Sequence, residues 1–311
     1  KSCDFMNMSK ALIIGFGSIG KRHEEVLLQL NSTSVIDIVT KQTLPKKQTF
    51  KSLEKVINID SYDYFIIASP TNKHYEQLQY IESNAKNKII FCEKPLFETK
   101  KYLNIINNIV YVGYVLRFHP LLQRLKNDIE NQKVISVNVS CGQYLPKWRP
   151  NTNYKESYSA KKNEGGGVLL DLSHEIDYIQ WLFGSLDDIK SYQVKGSDLE
   201  IDSDDLMTLI GKTTKDTIVT LAIDYISKIM HRRLLVNTIE FSYELDFIKN
   251  TLIRIDKKEQ EKVYSMQDLE RNNIFKNMHR SVLGDKQNIC TYEEGLNIMN
   301  TISIIQEQNN R

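Results

Sequence analysis

The chain has 311 residues. A single hydrophobic core usually stops growing at about 250–300 residues, so two domains are expected. Hydrophobic residues make up 41% and charged residues 26% of the chain, which is ordinary for a globular protein. The net charge is +2 and the charges are scattered, so the basic stripe that nucleic-acid binding needs is lacking and no nucleic acid partner is expected.

Membrane spans, secretion signals and metal motifs are not indicated either. No apolar run approaches the about 20 residues of a membrane span, so no membrane partner is expected. Residues 1–10 hold no apolar segment typical of a secretory signal. The four cysteines form no CxxC pair, which predicts reduced thiols, no bound metal and a cytoplasmic location.

Short apolar runs alternate with amphipathic stretches up to about residue 119. This pattern predicts strands over 11–14, 35–40, 64–68, 88–92 and 110–114, and helices over 19–30 and around 75–81. Strand–helix alternation predicts an α/β domain with a doubly wound parallel sheet. Pro70, Pro95 and Pro120 each follow a predicted strand, so we expect them near the carboxyl edge of the sheet, where ligands bind.

The pattern changes after about Leu122. Strict alternation of apolar and polar residues over 135–139, 219–225 and 241–247 predicts half-buried antiparallel strands. Helices are predicted over 168–183 and, closing the chain, over about 292–306. The expected domains are therefore 1–121, of the α/β class, and 122–311, of the α+β class.

A glycine-rich loop follows the first predicted strand and opens the first helix. Gly15, Gly17 and Gly20 allow, in turn, a tight turn, close approach of a pyrophosphate and close packing of helix on strand. With Ser18 and Ile19 they would place the phosphates at the helix N-terminus. GxGxxG alone is a weak signal, and a generic tight turn is the alternative, but the βαβ context over residues 11–40 favours dinucleotide binding.

The end of the second strand indicates which dinucleotide binds. Enzymes that use NAD usually carry an acidic residue there for the ribose 2′-hydroxyl. Here Thr40 and Lys41 occupy that place, while Asp37 lies inside the strand. A hydroxyl and an ammonium suit a 2′-phosphate, so NADP(H) is expected to be preferred and NAD(H) remains possible. The alternative is that Lys41 is only a solvated charge.

The fourth predicted strand runs into Glu93 and Lys94. A lysine at the end of a central strand would stand beside the nicotinamide and could take part in proton transfer. Taken alone, Lys94 is more often a surface charge. At this point the chain resembles the Gfo/Idh/MocA family, the glucose–fructose oxidoreductase and inositol dehydrogenase group. The matching segments, in order along the whole chain, are GFGSIGKRH at 15–23, SPTNKH at 69–74, CEKP at 92–95, GYVLRFHP at 113–120 and GGGVLLDLSHEIDY at 165–178.

This resemblance implies a Rossmann domain followed by an open, mainly antiparallel sheet whose face forms a homodimer or homotetramer. It implies that Lys94 is catalytic and that the neighbouring Glu93 belongs to the cofactor site. Further residues expected to line the cofactor cleft are Ser69, Pro70, Thr71 and His74. The peptide bond before the proline of the EKP segment is often cis in this family.

A second catalytic segment is expected in the helix predicted over 168–183. Asp171, His174 and Tyr178 are spaced three and four apart, which places them on one face of a continuous helix. A carboxylate, an imidazole and a phenol there could handle protons, and the alternative is a capped core helix. The family usually places the histidine four residues after the aspartate, so Asp171 is the less certain of the two and Glu175 is a possible substitute.

Aromatic and cationic residues ahead of this helix are candidates for substrate binding. Aromatic faces stack on sugar rings, and arginine holds a carboxylate or phosphate with two hydrogen bonds. The candidates are Tyr144, Trp148, Arg149, Tyr158 and Tyr178, with Arg117 and His119 from the opposite side. The alternative is an interface loop in an oligomer.

Together these features predict an NAD(P)-dependent oxidoreductase. Hydride would pass between nicotinamide and a hydroxyl or keto carbon of a sugar-like substrate, with Lys94 and His174 handling the proton and Asp171 orienting them. The segments YLPKWRP and DLSHEID resemble a branch that acts in surface-polysaccharide or amino-sugar biosynthesis. The alternatives are a non-catalytic NADP-binding sensor, and transient oxidation followed by elimination as in NAD-dependent glycosidases.

Overall fold

A computed structural model describes residues 8–45, 47–149 and 152–309. The strands within these ranges are β1 Met8–Ile14, β2 Thr33–Val39, β3 Thr49–Phe50, β4 Tyr64–Ile67, β5 Ile89–Cys92, β6 Ile109–Val112, β7 Val134–Gly142, β8 Leu186–Val194, β9 Leu206–Thr213, β10 Ile218–Asp224, β11 His231–Thr238, β12 Phe241–Asp246, β13 Thr251–Asp256, β14 Glu261–Ser265 and β15 Cys290–Thr291. The α-helices there are α1 Ser18–Leu30, α2 His74–Asn84, α3 Pro120–Ile129, α4 Val168–Asp171, α5 His174–Phe183, α6 Arg271–Leu283 and α7 Tyr292–Asn309.

The N-terminal unit contains the described residues up to Phe118 together with Glu270–Leu296. Its sheet has the order β15-β6-β5-β4-β1-β2-β3, in which all pairs are parallel except that of β15 with β6. Every residue of β4 and β5 is buried, as in a parallel sheet covered on both faces. The predicted doubly wound α/β domain is confirmed.

The central parallel strands of this unit end in register. Ile14 pairs with both Val39 and Ile67, and Cys92 pairs with both Ile67 and Val112. The chain therefore leaves β1, β2, β4, β5 and β6 at one edge of the sheet. The strand order reverses direction between β1 and β4, and the crevice outside such a switch point is where α/β sheets bind ligands.

The C-terminal unit contains His119–Leu269 and the described residues from Asn297 onwards. Its sheet has the order β14-β13-β12-β11-β7-β10-β9-β8, with only β7 and β10 parallel. Alternate residues of β10 are buried, from Val219 to Ile223, and α3, α4 and α5 pack on the sheet. The predicted mainly antiparallel second domain is confirmed.

The structure differs from the sequence-based expectations in three places. Glu270–Leu296 groups with the N-terminal unit rather than with residues after 122, because β15 extends the parallel sheet beside β6 and α6 packs on α1. The helix predicted over 168–183 is two helices, interrupted at residues 172–173. Pro120 is not a strand terminator but the first residue of α3, where its missing N–H is harmless.

Candidate active site

The glycine loop after β1 has the shape of a phosphate cradle. A Cβ on Gly15, whose φ is +93°, would lie 2.7 Å from backbone atoms of Ser69, and a Cβ on Gly20 would lie 2.1 Å from the carbonyl oxygen of Gly15. Gly17 differs, since it is exposed and a Cβ there would meet no atom within 4 Å. Gly15 and Gly20 are therefore required by the fold, whereas Gly17 leaves open the space that a pyrophosphate needs.

The helix behind this loop offers unsatisfied donors. α1 begins at Ser18 after Gly17, no side chain caps it, and its first turn holds no acidic residue. Ser18 is exposed and Ile19 is half-buried. Free N–H groups and the positive end of the helix dipole attract an anion. The five predicted loop residues thus fit the diphosphate of a dinucleotide.

The end of β2 carries no carboxylate free to hold a ribose. Asp37 is buried, accepts a hydrogen bond from the Tyr62 hydroxyl at 2.7 Å and pairs with Lys10 at 3.3 Å. Thr40 and Lys41 follow the strand at its carboxyl end, and Lys41 is exposed. The structure thus fits the expectation that Asp37 is not the ribose ligand.

The turn after β4 is tied to the segment that follows β5. Ser69 is half-buried and donates from its hydroxyl to Gln77 at 2.6 Å; Pro70 is exposed and Thr71 is buried. His74 is 1% exposed, with Nε2 3.0 Å from the Ser69 carbonyl and Nδ1 3.1 Å from that of Pro95. Burial lowers the pKa of His74. His74 therefore links two loops of the cleft instead of facing a cofactor.

Lys94 stands out within the segment that contains it. Every residue of Ile89–Phe97 is buried except Lys94, which is partly exposed at the carboxyl end of β5. The Lys94–Pro95 bond is cis. Glu93 points the other way: its Oε1 lies 2.9 Å from Nε2 of the buried His23, and its Oε2 accepts from the backbone N–H of Lys94. Glu93 is thus a support behind Lys94 and not, as expected, a cofactor contact.

The C-terminal unit repeats this arrangement around His174. Every residue from Gly165 to Ile179 is buried except His174, which is partly exposed at the start of α5. The predicted single helix face is wrong, because α4 ends at Asp171 and α5 begins at His174. Asp171 accepts a hydrogen bond from the Tyr225 hydroxyl at 2.6 Å.

Glu175 and Tyr178 are both fully buried inside the unit. Glu175 is fully buried and accepts two hydrogen bonds from Arg232, at 2.6 and 2.9 Å. This bidentate ion pair rules out Glu175 as a substitute for Asp171. Tyr178 is 0% exposed and packs on Phe247, with ring centroids 5.7 Å apart, and burial raises its pKa. Tyr178 therefore belongs to the core rather than to a substrate surface.

Three of the predicted substrate residues gather around Asp171. Tyr158 hydrogen-bonds Asp171, and the charge of that carboxylate raises the tyrosine's pKa. The guanidinium of Arg149 lies 5.2 Å from the Tyr158 ring centroid, and Trp148 packs edge-on against Tyr225 at 5.0 Å. Among the described residues, the buried indole Nε1 of Trp148 has no hydrogen-bond partner. Tyr144, another predicted substrate residue, has the ammonium of Lys228 over its ring, 4.5 Å from the ring centroid.

The last two predicted substrate residues are divided between the units. Arg117 belongs to the N-terminal unit, is 2% exposed and pairs with Glu294 at 3.0 Å, so its charge is already neutralised. His119 belongs to the C-terminal unit, where Nε2 lies 3.2 Å from the Asn250 side-chain oxygen. Burial lowers the pKa of His119, which keeps its imidazole neutral.

Several site residues were missed from the sequence. Tyr225 had a usable signal, because it ends the alternating run 219–225 on the buried face. Arg232 had none, because its partner Glu175 is 57 residues away. Within the described ranges, no group of three or more His, Cys, Asp or Glu side chains could hold a metal ion, and no helix is long and apolar enough to span a membrane.

The phosphate cradle at a sheet switch point is the arrangement typical of a dinucleotide-binding protein of the α/β class. Residues 9–109 match the "Oxidoreductase family, NAD-binding Rossmann fold" and residues 124–241 match the "GFO/IDH/MocA C-terminal domain". The chain therefore belongs to the GFO/IDH/MocA oxidoreductase family, as its motifs predicted.

Curated relatives are distant and longer. An uncharacterized oxidoreductase of Streptococcus pneumoniae is 27% identical over 43% of this chain and 38% of its own length. The 2,7-anhydro-N-acetylneuraminate hydratase of Escherichia coli is 26% identical over 43% of this chain and 37% of its own. Inositol 2-dehydrogenase of Salmonella paratyphi B is 24% identical over 60% and 57%. The chain thus spans less than two thirds of each of these relatives.

Solved structures share the fold across nearly the whole chain. Levoglucosan dehydrogenase with NADH and levoglucosan superposes with a TM-score of 0.83 at 14% identity, covering 97% of both chains. UDP-N-acetylglucosamine 3-dehydrogenase from Acidithiobacillus ferrooxidans gives 0.76 at 16%, also covering 97% of both. The super-repressor mutant of Gal80p from Saccharomyces cerevisiae gives 0.81 at 15%, covering 97% of this chain and 96% of that one. At these identities the likeness establishes the fold alone.

Proposed function

We propose that this protein is a nicotinamide-dependent dehydrogenase or reductase that acts on a CH–OH group of a sugar-like substrate. One observation carries the proposal. Lys94 and His174 are each the one partly exposed residue in a described run that is otherwise buried, Ile89–Phe97 and Gly165–Ile179. Burying the neighbours while presenting a single titratable side chain is the arrangement expected of proton-handling groups.

The cofactor proposed is NADP(H), with NAD(H) as a weaker ligand. When bound, the nicotinamide supplies or accepts the hydride. Gly15, Gly17 and Gly20 with the N-terminus of α1 would hold the diphosphate, and the cleft would be completed by the turn at Ser69–Thr71. Two features support a preference for the 2′-phosphate. The Asp37 carboxylate is already engaged by Tyr62 and Lys10, and a cationic group lies nearby.

That cationic group includes two exposed lysines, Lys41 after β2 and Lys51 after β3. Lys51 donates from its ammonium to the carbonyl oxygens of Lys41 and Gln42, at 3.1 and 3.3 Å. Gln42 in turn donates from its side-chain amide to the Phe16 carbonyl in the glycine loop, at 3.0 Å. These contacts tie Lys41 to the phosphate cradle, where its ammonium and the Thr40 hydroxyl would meet a 2′-phosphate.

In the proposed chemistry, Lys94 holds or releases the proton of the reacting hydroxyl, and His174 assists. Lysine suits this task because partial burial and neighbours shift its pKa readily. Asp171 is proposed to act through others, since its carboxylate is engaged by the hydroxyls of Tyr225 and Tyr158. It would thereby fix the aromatic residues on which a sugar ring can stack.

The substrate class follows from Tyr144, Trp148, Arg149 and Tyr158. Arg149 and its aromatic neighbours favour a sugar that carries a carboxylate or phosphate, such as a nucleotide sugar or an amino-sugar acid of surface-polysaccharide synthesis. The indole N–H of Trp148 has no partner among the described residues and can donate to a ligand oxygen. His119 is proposed to contribute from the same unit.

We also propose that the outer face of the eight-stranded sheet joins two or four copies of the chain. Its exposed apolar side chains include Tyr192 on β8, Ile210 on β9 and Ile218 on β10, at 76%, 54% and 44% exposure. These side chains lie on three neighbouring strands of the sheet, and exposed apolar side chains grouped in this way favour a protein interface.

The test combines cofactor titration with a substrate panel. Binding of NADPH and NADH is followed by fluorescence, and we expect NADPH to bind about tenfold more tightly, as one charge-assisted contact would give. Lys41→Glu should reverse the preference, while Lys55→Glu, an exposed lysine elsewhere in the unit, should not. Absorbance at 340 nm is then read with UDP-N-acetylglucosamine, its uronic acid, levoglucosan and inositol. No nucleotide binding would refute the proposal.

A second candidate function is favoured by one comparison, the 26% identity to a hydratase. An enzyme that adds or removes water produces no net change in NADPH. Product detected by mass spectrometry without a change at 340 nm would support this candidate. Tight NADPH binding with no product from any sugar would favour a non-catalytic sensor.

A further inference from the structure

Four buried polar side chains of the N-terminal unit form a continuous hydrogen-bonded chain, here called the Tyr64–Glu93 chain. The Tyr64 hydroxyl lies 2.9 Å from Nδ1 of His279, and Nε2 of His279 lies 2.9 Å from Nδ1 of His23. Nε2 of His23 lies 2.9 Å from Oε1 of Glu93, whose Oε2 holds the backbone N–H of Lys94. Tyr64, His23 and His279 are each 0% exposed, so water does not compete for these bonds.

The direction of the chain follows from counting donors. If Glu93 is a carboxylate, it accepts the Nε2–H of His23. The free Nδ1 of His23 then accepts the Nε2–H of His279, whose own Nδ1 accepts the O–H of Tyr64. Every donor and acceptor on these atoms is satisfied with two neutral imidazoles, each in its Nε2–H tautomer.

The reverse direction is less favourable. It requires either an imidazolium at His23 or a protonated Glu93 that donates to Nε2 of His23; His23 then donates from Nδ1 to His279, which donates to the oxygen of Tyr64. The Tyr64 hydrogen would be left without an acceptor among the described residues, and a buried unsatisfied donor is costly. Burial, helped by the charge of Glu93, raises the pKa of Tyr64, and burial lowers that of His279. These shifts keep Tyr64 protonated and His279 neutral, as the forward direction requires.

Stability does not explain why two imidazoles occupy this place. His23 lies edge-on to Phe91 and Phe275, at 5.2 and 5.7 Å between ring centroids, and His279 lies 5.5 Å from Phe91. Apolar side chains of similar shape would fill such an aromatic environment without the cost of burying polar groups. A role toward Glu93 gives these histidines a reason to be there.

We propose that Tyr64, His279 and His23 are positioning residues for Lys94, acting through Glu93. Of these three aligned donors only His23 reaches the Glu93 carboxylate; His279 and Tyr64 hold His23 in the tautomer that donates to it, and so fix the orientation of the carboxylate. Its second oxygen then holds the Lys94 amide, so the ammonium leaves the buried segment at a fixed point. This inference rests on the proposed function, in which Lys94 handles the substrate proton.

The first test reads the chain directly and needs no substrate. The full-length protein is labelled with ¹⁵N-histidine, and the ring nitrogens of His23 and His279 are assigned with the variants His23→Gln and His279→Gln. We expect both rings to be neutral Nε2–H tautomers at about pH 7. A Nδ1–H tautomer of either ring, or an imidazolium at His23, would contradict the proposed direction of the Tyr64–Glu93 chain.

The second test measures the effect of the Tyr64–Glu93 chain on the reaction rate, with the best substrate of the panel. Tyr64→Phe should lower kcat about tenfold and leave the KM for NADPH unchanged. Tyr62→Phe is the matched control, because its hydroxyl donates to buried Asp37 in the same unit but does not reach Glu93. It should lower stability without lowering kcat.

Rescue separates positioning from packing. His279→Gln keeps an acceptor for Tyr64 and a donor for His23, so it should retain most activity, whereas His279→Leu should not. Wild-type kcat in Tyr64→Phe, or equal losses in Tyr62→Phe, would overturn the proposal. An unchanged kcat in Lys94→Ala would instead overturn the proposed function, which the tautomer measurement does not address.

Discussion

Replacing Glu175 by leucine should destabilise the C-terminal unit because it breaks a buried ion pair. Glu175 is 0% exposed and accepts two hydrogen bonds from Arg232, whose side chain is itself 20% exposed. Removing one partner leaves the guanidinium largely buried and uncompensated, which costs about 3–5 kcal/mol. The sequence offered Glu175 as a possible substitute for Asp171, and this loss of stability would show that Glu175 has a structural role.

The assay is urea denaturation followed by tryptophan fluorescence. Trp148 and Trp181 are the two tryptophans of the chain, and both lie in the C-terminal unit, so fluorescence reports on that unit. Glu200→Leu is the control, because Glu200 pairs with Lys155 at the surface, where its side chain is 68% exposed. That change should alter the free energy of unfolding by less than about 1 kcal/mol.

The double variant Glu175→Leu with Arg232→Met completes the test. Without a charge on either side, most of the lost stability should return, because two apolar side chains of similar volume can fill the site. A single variant within about 1 kcal/mol of the wild type, or a double variant no more stable than the single, would refute this reasoning.

Three further predictions follow from the geometry. Gly17→Ala should fold normally and weaken NADPH binding at least about tenfold, whereas Gly20→Ala should fold poorly. Circular dichroism measures the folding of each variant, and titration measures its NADPH affinity. Wild-type affinity in Gly17→Ala would contradict the proposal that the glycine loop holds the diphosphate. Burial lowers the pKa values of His74, His119 and His279, so the folded protein favours their neutral forms. The free energy of unfolding should therefore be highest above the pKa of an unfolded histidine, about 6.5, and should fall below it by up to about 1.4 kcal/mol per pH unit for each histidine. A urea midpoint that is higher at pH 5.5 than at pH 7.5 would contradict this. Arg117→Met should lower Tm and leave the KM for the sugar unchanged, and the opposite result would restore Arg117 to the substrate site.

Much of the fold was predictable because its signals are local. The buried apolar runs of β4 and β5, and the prolines that follow them, indicated a parallel sheet and the edge that binds ligands. The alternating runs 219–225 and 241–247 indicated the second sheet in the same way. Lys94 and the glycine loop could be proposed as site residues because both follow strands of that first sheet.

What could not be predicted depends on distant partners. Arg117 looked available for a substrate, but Glu294, 177 residues further along the chain, neutralises it. Glu175 looked equivalent to Asp171 until Arg232 was seen to occupy it. The break at residues 172–173 was hidden because apolar residues continue at helical spacing through Leu172.

The proposed chemistry depends most on the ammonium of Lys94 acting on a substrate proton beside a bound nicotinamide. The direct measurement compares kcat and the NADPH dissociation constant for Lys94→Ala, with Lys86→Ala, an exposed lysine of the same unit, as control. We predict that kcat falls at least about 100-fold while NADPH affinity stays within about twofold. A kcat equal to that of the wild type would contradict the account.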